Sequence, residues 1–290
     1  MNINEFAEKM KITLTDILQK EIQSVSPLKL NNVRLCGIAI VEPDSNISCT
    51  IYLEQFFGRF LDTGDWEQTV SDILSFYDNN RVADSFDSKW FHDFGQIRRN
   101  LFYRLINYKE NQELLSAVPY TRFLDLAKVY YADCQIGETA GSILIHHKHI
   151  EEWGITEDEL IAAAEENTPI LYPVKLKPLS SVLGLGDDIC PFPGMSGHMF
   201  VLSNTENQNG AASVCYKDVL DDFSQKIKDD LVVLPSSVHE TILLPLQEKS
   251  NLDSLKEMVY DINRTVLDRS EFLSDNVYVY NRQDKQLIIV

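Results

Sequence analysis

From Asn4 to roughly Val25 the apolar residues Phe6, Met10, Ile12, Leu14, Ile17, Leu18 and Ile22 recur largely at three- and four-residue spacing. That period predicts an amphipathic helix, and Pro27 limits its continuation. The runs VRLCGIAIV (33–41) and ISCTIYL (47–53) flank the turn-forming EPDSN and predict a hairpin. In the second run Ile47, Cys49, Ile51 and Leu53 alternate with Ser48, Thr50 and Tyr52, so one face is expected to be buried. Residues 66–81 return to a helical period through Val70, Ile73, Leu74 and Tyr77. QIRRNLFYRLIN (96–107) alternates roughly and predicts a strand.

NQELLSAV (111–118) reads as a short helix stopped by Pro119, and 121–134 with 140–149 as a second hairpin across QIGE. Thr156 and Glu159 form the spacing of a capping box and open a helix expected to end near Pro169. ILYPVKLKPL (170–179) is extended but broken by prolines, which suits an edge strand. Residues 180–197 are rich in glycine and proline and read as a long surface loop or flap. A strand at 198–204, a helix at 214–228, paired strands LVVLP and ETILLPL, a helix at 251–267 and a terminal hairpin at 276–290 complete the chain. The pattern predicts an α+β fold with largely antiparallel sheets built from hairpins and amphipathic helices packed on them. The polar NYKENQ suggests a boundary between domains 1–108 and 109–290, or one continuous domain.

Charge adds the next constraint. The 290 residues carry 26 basic against 44 acidic side chains, a formal net charge of −18. Such a surface opposes phosphate backbones and anionic membranes and favours a basic protein partner or a metal ion. No apolar run approaches the roughly 20 residues of a membrane span, and the first residues lack a signal-peptide pattern. Five scattered cysteines, never spaced C-x-x-C, suit reduced and mostly buried thiols in a cytoplasmic protein. The acids Glu151, Glu152, Glu157, Asp158, Glu159, Glu165 and Glu166 follow one another with no base between them. They are either a solvated helix face or an acidic contact, for which Glu157, Asp158, Glu165 and Glu166 are the interaction candidates.

Candidate catalytic chemistry is sparse. PSSVHE places Ser236, Ser237, His239 and Glu240 together, with Ser237 and His239 as the nucleophile and base a hydrolase would need. It lacks the G-x-S-x-G elbow, and a turn over Ser236 to Val238 would send His239 and Glu240 to opposite faces. The turn reading is therefore preferred. HHKH offers His146 and His149 as metal ligands, with Cys134 and Glu151 as sequence neighbours, against a solvated strand end. GLGDD offers Asp187 and Asp188 to a divalent ion, but matches neither the dinucleotide nor the phosphate-loop fingerprint. Arg98, Arg99 and Arg104 interleave with Phe102, Tyr103 and Tyr108 as a nucleic-acid surface would, yet Asp78, Asp84, Asp87 and Asp93 precede them.

Three stretches together resemble an uncharacterised bacterial domain-of-unknown-function family of gut clostridia (family 5688). They are NQELLSAVPYTRFLDLAKVYY (111–131), ILIHHKHIEEWGITEDELIAAAEENTPIL (143–171), and LVVLPSSVHETILLP (231–245) followed by LSDNVYVYNR (273–282). The middle stretch is more remotely similar to an uncharacterised bacillus family. The resemblance implies a shared α+β fold and a genomic setting near mobile elements, and it transfers no catalytic residue or cofactor. Two functions stay open: a non-enzymatic acidic interaction or regulatory factor, and a hydrolase or metal-dependent enzyme assembled from distant residues.

Overall fold

The computed structural model describes residues 1–42, 48–81, 89–136, 139–184, 199–246 and 251–290. The chain is α+β, with three mostly antiparallel sheets. It divides into two compact units, Met1–Trp90 with Cys134–Gly141, and Phe91–Asp133 with Ser142–Val290.

The first unit begins with α1 (Ile3–Leu18), whose capping box runs between Asn2 and Glu5. The helix stops four residues short of Ile22, because Gln19 turns left-handed at φ 53° and its N–H closes on the Thr15 carbonyl. Ile22 therefore falls in a strand, β1 (Ile22–Val25), although it continues the helical period of the sequence. β1 pairs with β2 (Gly37–Ile40), and β2 with β3 (Cys49–Tyr52), the expected hairpin. α2 (Glu54–Thr63) and α3 (Trp66–Asn80) follow. α2 has no clear periodic signature in the sequence: Leu53 stands at its N-cap with no side-chain cap, and its apolar residues are the cluster Phe56, Phe57, Phe60 and Leu61. Phe6, Met10, Leu14, Ile38, Ile40, Ile51 and Leu53 are sealed in the core, and Trp66 meets Phe6 edge-on at 5.5 Å.

The second unit opens with the short α4 (Phe94–Ile97), a 3-10 turn, and β4 (Leu101–Asn107). Only the second half of 96–107 is strand, and its residues are buried on both faces rather than alternately. α5 (Gln112–Leu115) leads to β5 (Tyr120–Phe123), β6 (Leu126–Ile136) and β7 (Thr139–Leu144), of which the stretch Cys134–Gly141 counts with the first unit. β6 is the hub of this sheet, pairing with β4, β5 and β7. The run read as one strand from 121 is thus itself a hairpin, turning at Leu124 and Asp125. Leu124 holds φ 56°, unusual for a bulky residue. Asp125 over-determines that turn: its carboxylate accepts from Ser274 and Tyr278 hydroxyls at 2.6 Å each and from the Asn276 amide at 2.9 Å.

α6 (His147–Trp153) and α7 (Glu157–Leu171) come next. α7 continues through Pro169, which removes one N–H but leaves Tyr172 to cap the Thr168 carbonyl. β8 (Val174–Pro178), α8 (Leu179–Val182), β9 (Phe200–Asn204), α9 (Val219–Ile227), β10 (Leu231–Ser237), β11 (Glu240–Pro245), α10 (Leu252–Thr265), β12 (Tyr278–Asn281) and β13 (Gln286–Ile289) complete the order. Six of these strands form one sheet, ordered β13-β12-β10-β11-β9-β8, with β8 at an edge as its prolines require. Leu255 and Val259 of α10 pack on Val232 and Leu234 of β10, beside Ile242 and Leu244 of β11. Among the described residues no helix is long and apolar enough to cross a membrane.

Candidate functional site

The hairpin β10–β11 turns on Val238 and His239, because Ser237 and Glu240 are paired in the ladder. The turn is displaced from the expected Ser236–Val238 by an irregularity between Leu234 and Ser237. This geometry commits one lone pair of the hydroxyl. Ser237 Oγ accepts the His239 backbone N–H at 3.0 Å, so it binds the peptide of His239 rather than its imidazole. The imidazole is oriented from elsewhere: the Asn209 N–H donates to Nδ1 at 3.1 Å, and Glu271 lies 3.4 Å from Nε2. The carboxylate beside His239 is thus Glu271, a residue no local motif indicated. A nucleophile–base pair needs the hydroxyl proton directed at the imidazole, and among the described residues no hydrogen bond joins Ser237 Oγ to that ring, whose Nδ1 already accepts the Asn209 N–H.

His146 and His149 start a helix instead of ending a strand, since α6 begins at His147. The His146 N–H donates to His149 Nδ1 at 3.1 Å, occupying one of the two nitrogens a metal could take. His149 is packed edge-on against Phe91 at 4.9 Å and lies beside Trp153. That burial, with the charges of Lys148 and His146 added, pushes its pKa down to about 4. A second pair of imidazoles is committed to carboxylates, His92 to Glu152 at 2.5 Å and His147 to Glu157 at 3.2 Å. Among the described residues no three His, Cys, Asp or Glu side chains converge to hold a metal ion. Asp187 and Asp188 lie outside the described residues, as does Cys190. Of the other cysteines, Cys134 is buried while Cys36, Cys49 and Cys215 are half-buried free thiols. Burial pushes the Cys215 thiol up to about 12, far from thiolate reactivity at neutral pH.

α7 carries the acidic candidates on unequal terms. Thr156 and Glu159 form the expected capping box, and the Thr156 backbone N–H holds the Glu159 carboxyl below the usual carboxylate range. Leu160, Ala163, Ala164 and Thr168 are buried, which anchors one side of the helix. Thr168 adds a fixed tie by accepting the Tyr103 N–H at 3.1 Å. Glu157, Asp158 and Glu166 are exposed. Glu165 differs, because its Oε1 lies 2.5 Å from Lys128 Nζ. Lys128 sits in the apolar run LAKVYY of β6, is only 9% exposed, and has its ammonium 4.6 Å from the Tyr103 ring centre. A lone lysine inside a strand of buried residues was the available signal that a carboxylate must meet it.

The arginine-aromatic stretch is also spoken for. Arg104 lies over Tyr131 at 4.3 Å and Phe102 at 5.2 Å, and Arg122 lies over Tyr108 at 3.5 Å. Arg98 approaches Glu166 at 3.9 Å. In the first unit, Glu42 accepts from Lys20 at 2.7 Å and from the Tyr77 hydroxyl, which holds its carboxyl below the usual range. That triad ties the segment after α1 to the end of β2 and to α3.

The family model for a family of unknown function (DUF5688) matches residues 3–282, and the chain belongs to that family. No curated protein and no solved structure matches it.

Proposed function

We propose that this member of the family is a non-enzymatic, cytoplasmic interaction or regulatory factor that binds a basic protein partner through the acidic face of α7. One observation carries the reading: Glu157, Asp158 and Glu166 are exposed on a helix whose other side is buried. The mount is rigid, through Leu160, Ala163, Ala164 and the Glu165–Lys128 pair, so the acids are presented in a fixed array. His147 and Arg98 stand near Glu157 and Glu166, but such exposed pairs are worth only about 0–1 kcal/mol. An incoming cation can therefore displace them. Support also comes from the other candidates, since Ser237 Oγ and His149 Nδ1 each accept a backbone N–H.

The test is capture from lysate of a native host with wild-type protein and with the variant Glu157→Lys, Asp158→Lys, Glu166→Lys. The reading expects a basic protein retained by the wild type, lost on raising salt from about 0.05 to 0.3 M, and not retained by the variant. A partner held equally by a folded triple variant would overturn it.

A further inference from the structure

We infer that the trough beside β8 on the six-stranded sheet, open among the described residues, binds a small molecule with an anionic head, phosphate or carboxylate, and hydrogen-bond donors at its other end. Antiparallel partners share a face, so the pairs Lys175–Ser203 and Lys177–Val201 put these four side chains on one side of β8 and β9. Val201 is in turn opposite Ile242, which places this surface on the same face as the core under α10. α10 covers β10 and β11, and the neighbouring strands are left with a trough of about 270 Å³ lined by Lys175, Lys177, Ser181, Val201, Ser203 and Glu240 among others.

The polarity of the trough is divided. On the β8 side stand two ammonium groups, and Lys175 Nζ is already steadied by Asn207 Oδ1 at 2.6 Å. Across the trough the groups are acceptors. Ser203 is 4% exposed and donates its hydroxyl proton to the His239 carbonyl at 2.8 Å, so it has only lone pairs left to offer a ligand. Gly210 leaves room for that rotamer, because a Cβ there would meet Ser203 Oγ at 2.2 Å. Glu240, the other acceptor, carries negative charge. Two cations opposite a fixed acceptor and a carboxylate match a molecule with an anion at one end and an ammonium or hydroxyl group at the other. The volume is just below the ordinary range for drug-sized ligands, so the fit is to something of amino-acid or sugar-phosphate size. In a chain of net charge −18, two lysines on one strand face also steer such an anion locally.

Isothermal titration calorimetry with phosphoserine, glutamate and inorganic phosphate tests this. Phosphoserine or glutamate should bind at least fivefold more tightly than inorganic phosphate, and whichever is tighter identifies the head group. Lys175→Gln with Lys177→Gln should weaken that binding at least tenfold while leaving the thermal transition in place. Glu240→Gln should abolish the preference over inorganic phosphate. Failure of all three probes to bind at about 10 mM, far weaker than the roughly millimolar Kd of the weakest ordinary complexes, would overturn the inference. So would binding that survives the double lysine variant.

Discussion

Lys128 Nζ lies 2.5 Å from Glu165 Oε1, so one of the acids on α7 is a counter-ion of the interior rather than a surface charge. Breaking a fully buried pair costs roughly 3–5 kcal/mol, chiefly by stranding the remaining charge. Glu165 is 37% exposed and water can partly replace it, so Glu165→Ala is expected to cost about 2 kcal/mol. Glu157→Ala and Glu166→Ala should stay within about 0.5 kcal/mol of wild type. Urea unfolding of the three variants decides the matter, and equal midpoints would show that the pair contributes nothing.

Gly210 permits a close approach that no other residue can make. A Cβ at this position would lie 2.2 Å from Ser203 Oγ, 2.6 Å from the Asn204 nitrogen and 2.8 Å from the His239 carbonyl oxygen. Two of those atoms are backbone, so relief requires β9 or the β10–β11 turn to shift. Gly210→Ala should destabilise by about 1–3 kcal/mol, measured by chemical denaturation. An unchanged midpoint would mean that the packing here is looser than described.

Thr241 offers the opposite outcome. It is 1% exposed, and its hydroxyl has no hydrogen-bond partner among the described residues. Thr241→Val keeps the shape and removes an unsatisfied polar atom, so stability should be equal or higher by up to about 1 kcal/mol. A loss larger than that would show that the hydroxyl is satisfied in solution.

His149 should make stability depend on pH. Its pKa is pushed down to about 4 in the folded chain, against an unfolded value near 6.5. A group depressed in this way favours folding fully above the unfolded value, and that contribution is lost as pH falls from about 6.5 towards 4. Glutamine at this position keeps an acceptor for the His146 N–H and does not titrate. His149→Gln should therefore flatten the fall in urea midpoint between about pH 6.5 and 4 relative to wild type. Parallel curves would place the acid sensitivity elsewhere.

Ser237 should behave as a turn residue in chemistry as well as in geometry. A fluorophosphonate probe should leave no adduct on the intact protein, because among the described residues no base is hydrogen-bonded to this hydroxyl, whose oxygen accepts a backbone N–H. Ser237→Ala should cost about 1 kcal/mol through that lost bond. A stoichiometric adduct at Ser237 would reinstate a hydrolase.

Where local pattern and tertiary context agree, the sequence is readable. The hairpin β10–β11, the capping box at Thr156 and Glu159, and the edge position of β8 follow from alternation, a three-residue spacing rule and proline chemistry. Where a residue fits two periods, it misleads: Ile22 continues the helix pattern of α1 yet pairs with Ile40. The candidate sites were less legible. Glu271 reaches His239 from across a long stretch of chain, and Lys128 finds Glu165 on another element. Such partners are set by topology, and spacing along the chain carries no trace of them. Lys175 and Lys177 were visible as alternating lysines, but their meaning depends on the trough they line with β9 and Glu240.

The discontinuous make-up of the two units bears on how the chain emerges from the ribosome. The stretch Cys134–Gly141 belongs with the N-terminal unit, so that unit is complete only when about fifty further residues past Trp90 have been made, about two to three seconds of synthesis at the upper rates. The other unit waits longer, because the turn at Asp125 is held by Ser274, Asn276 and Tyr278. A nascent chain halted before Ser274 would expose the β5–β6 turn without its three donors. Arrested chains ending on either side of that point should differ sharply in protease resistance, with protection appearing only in the longer ones.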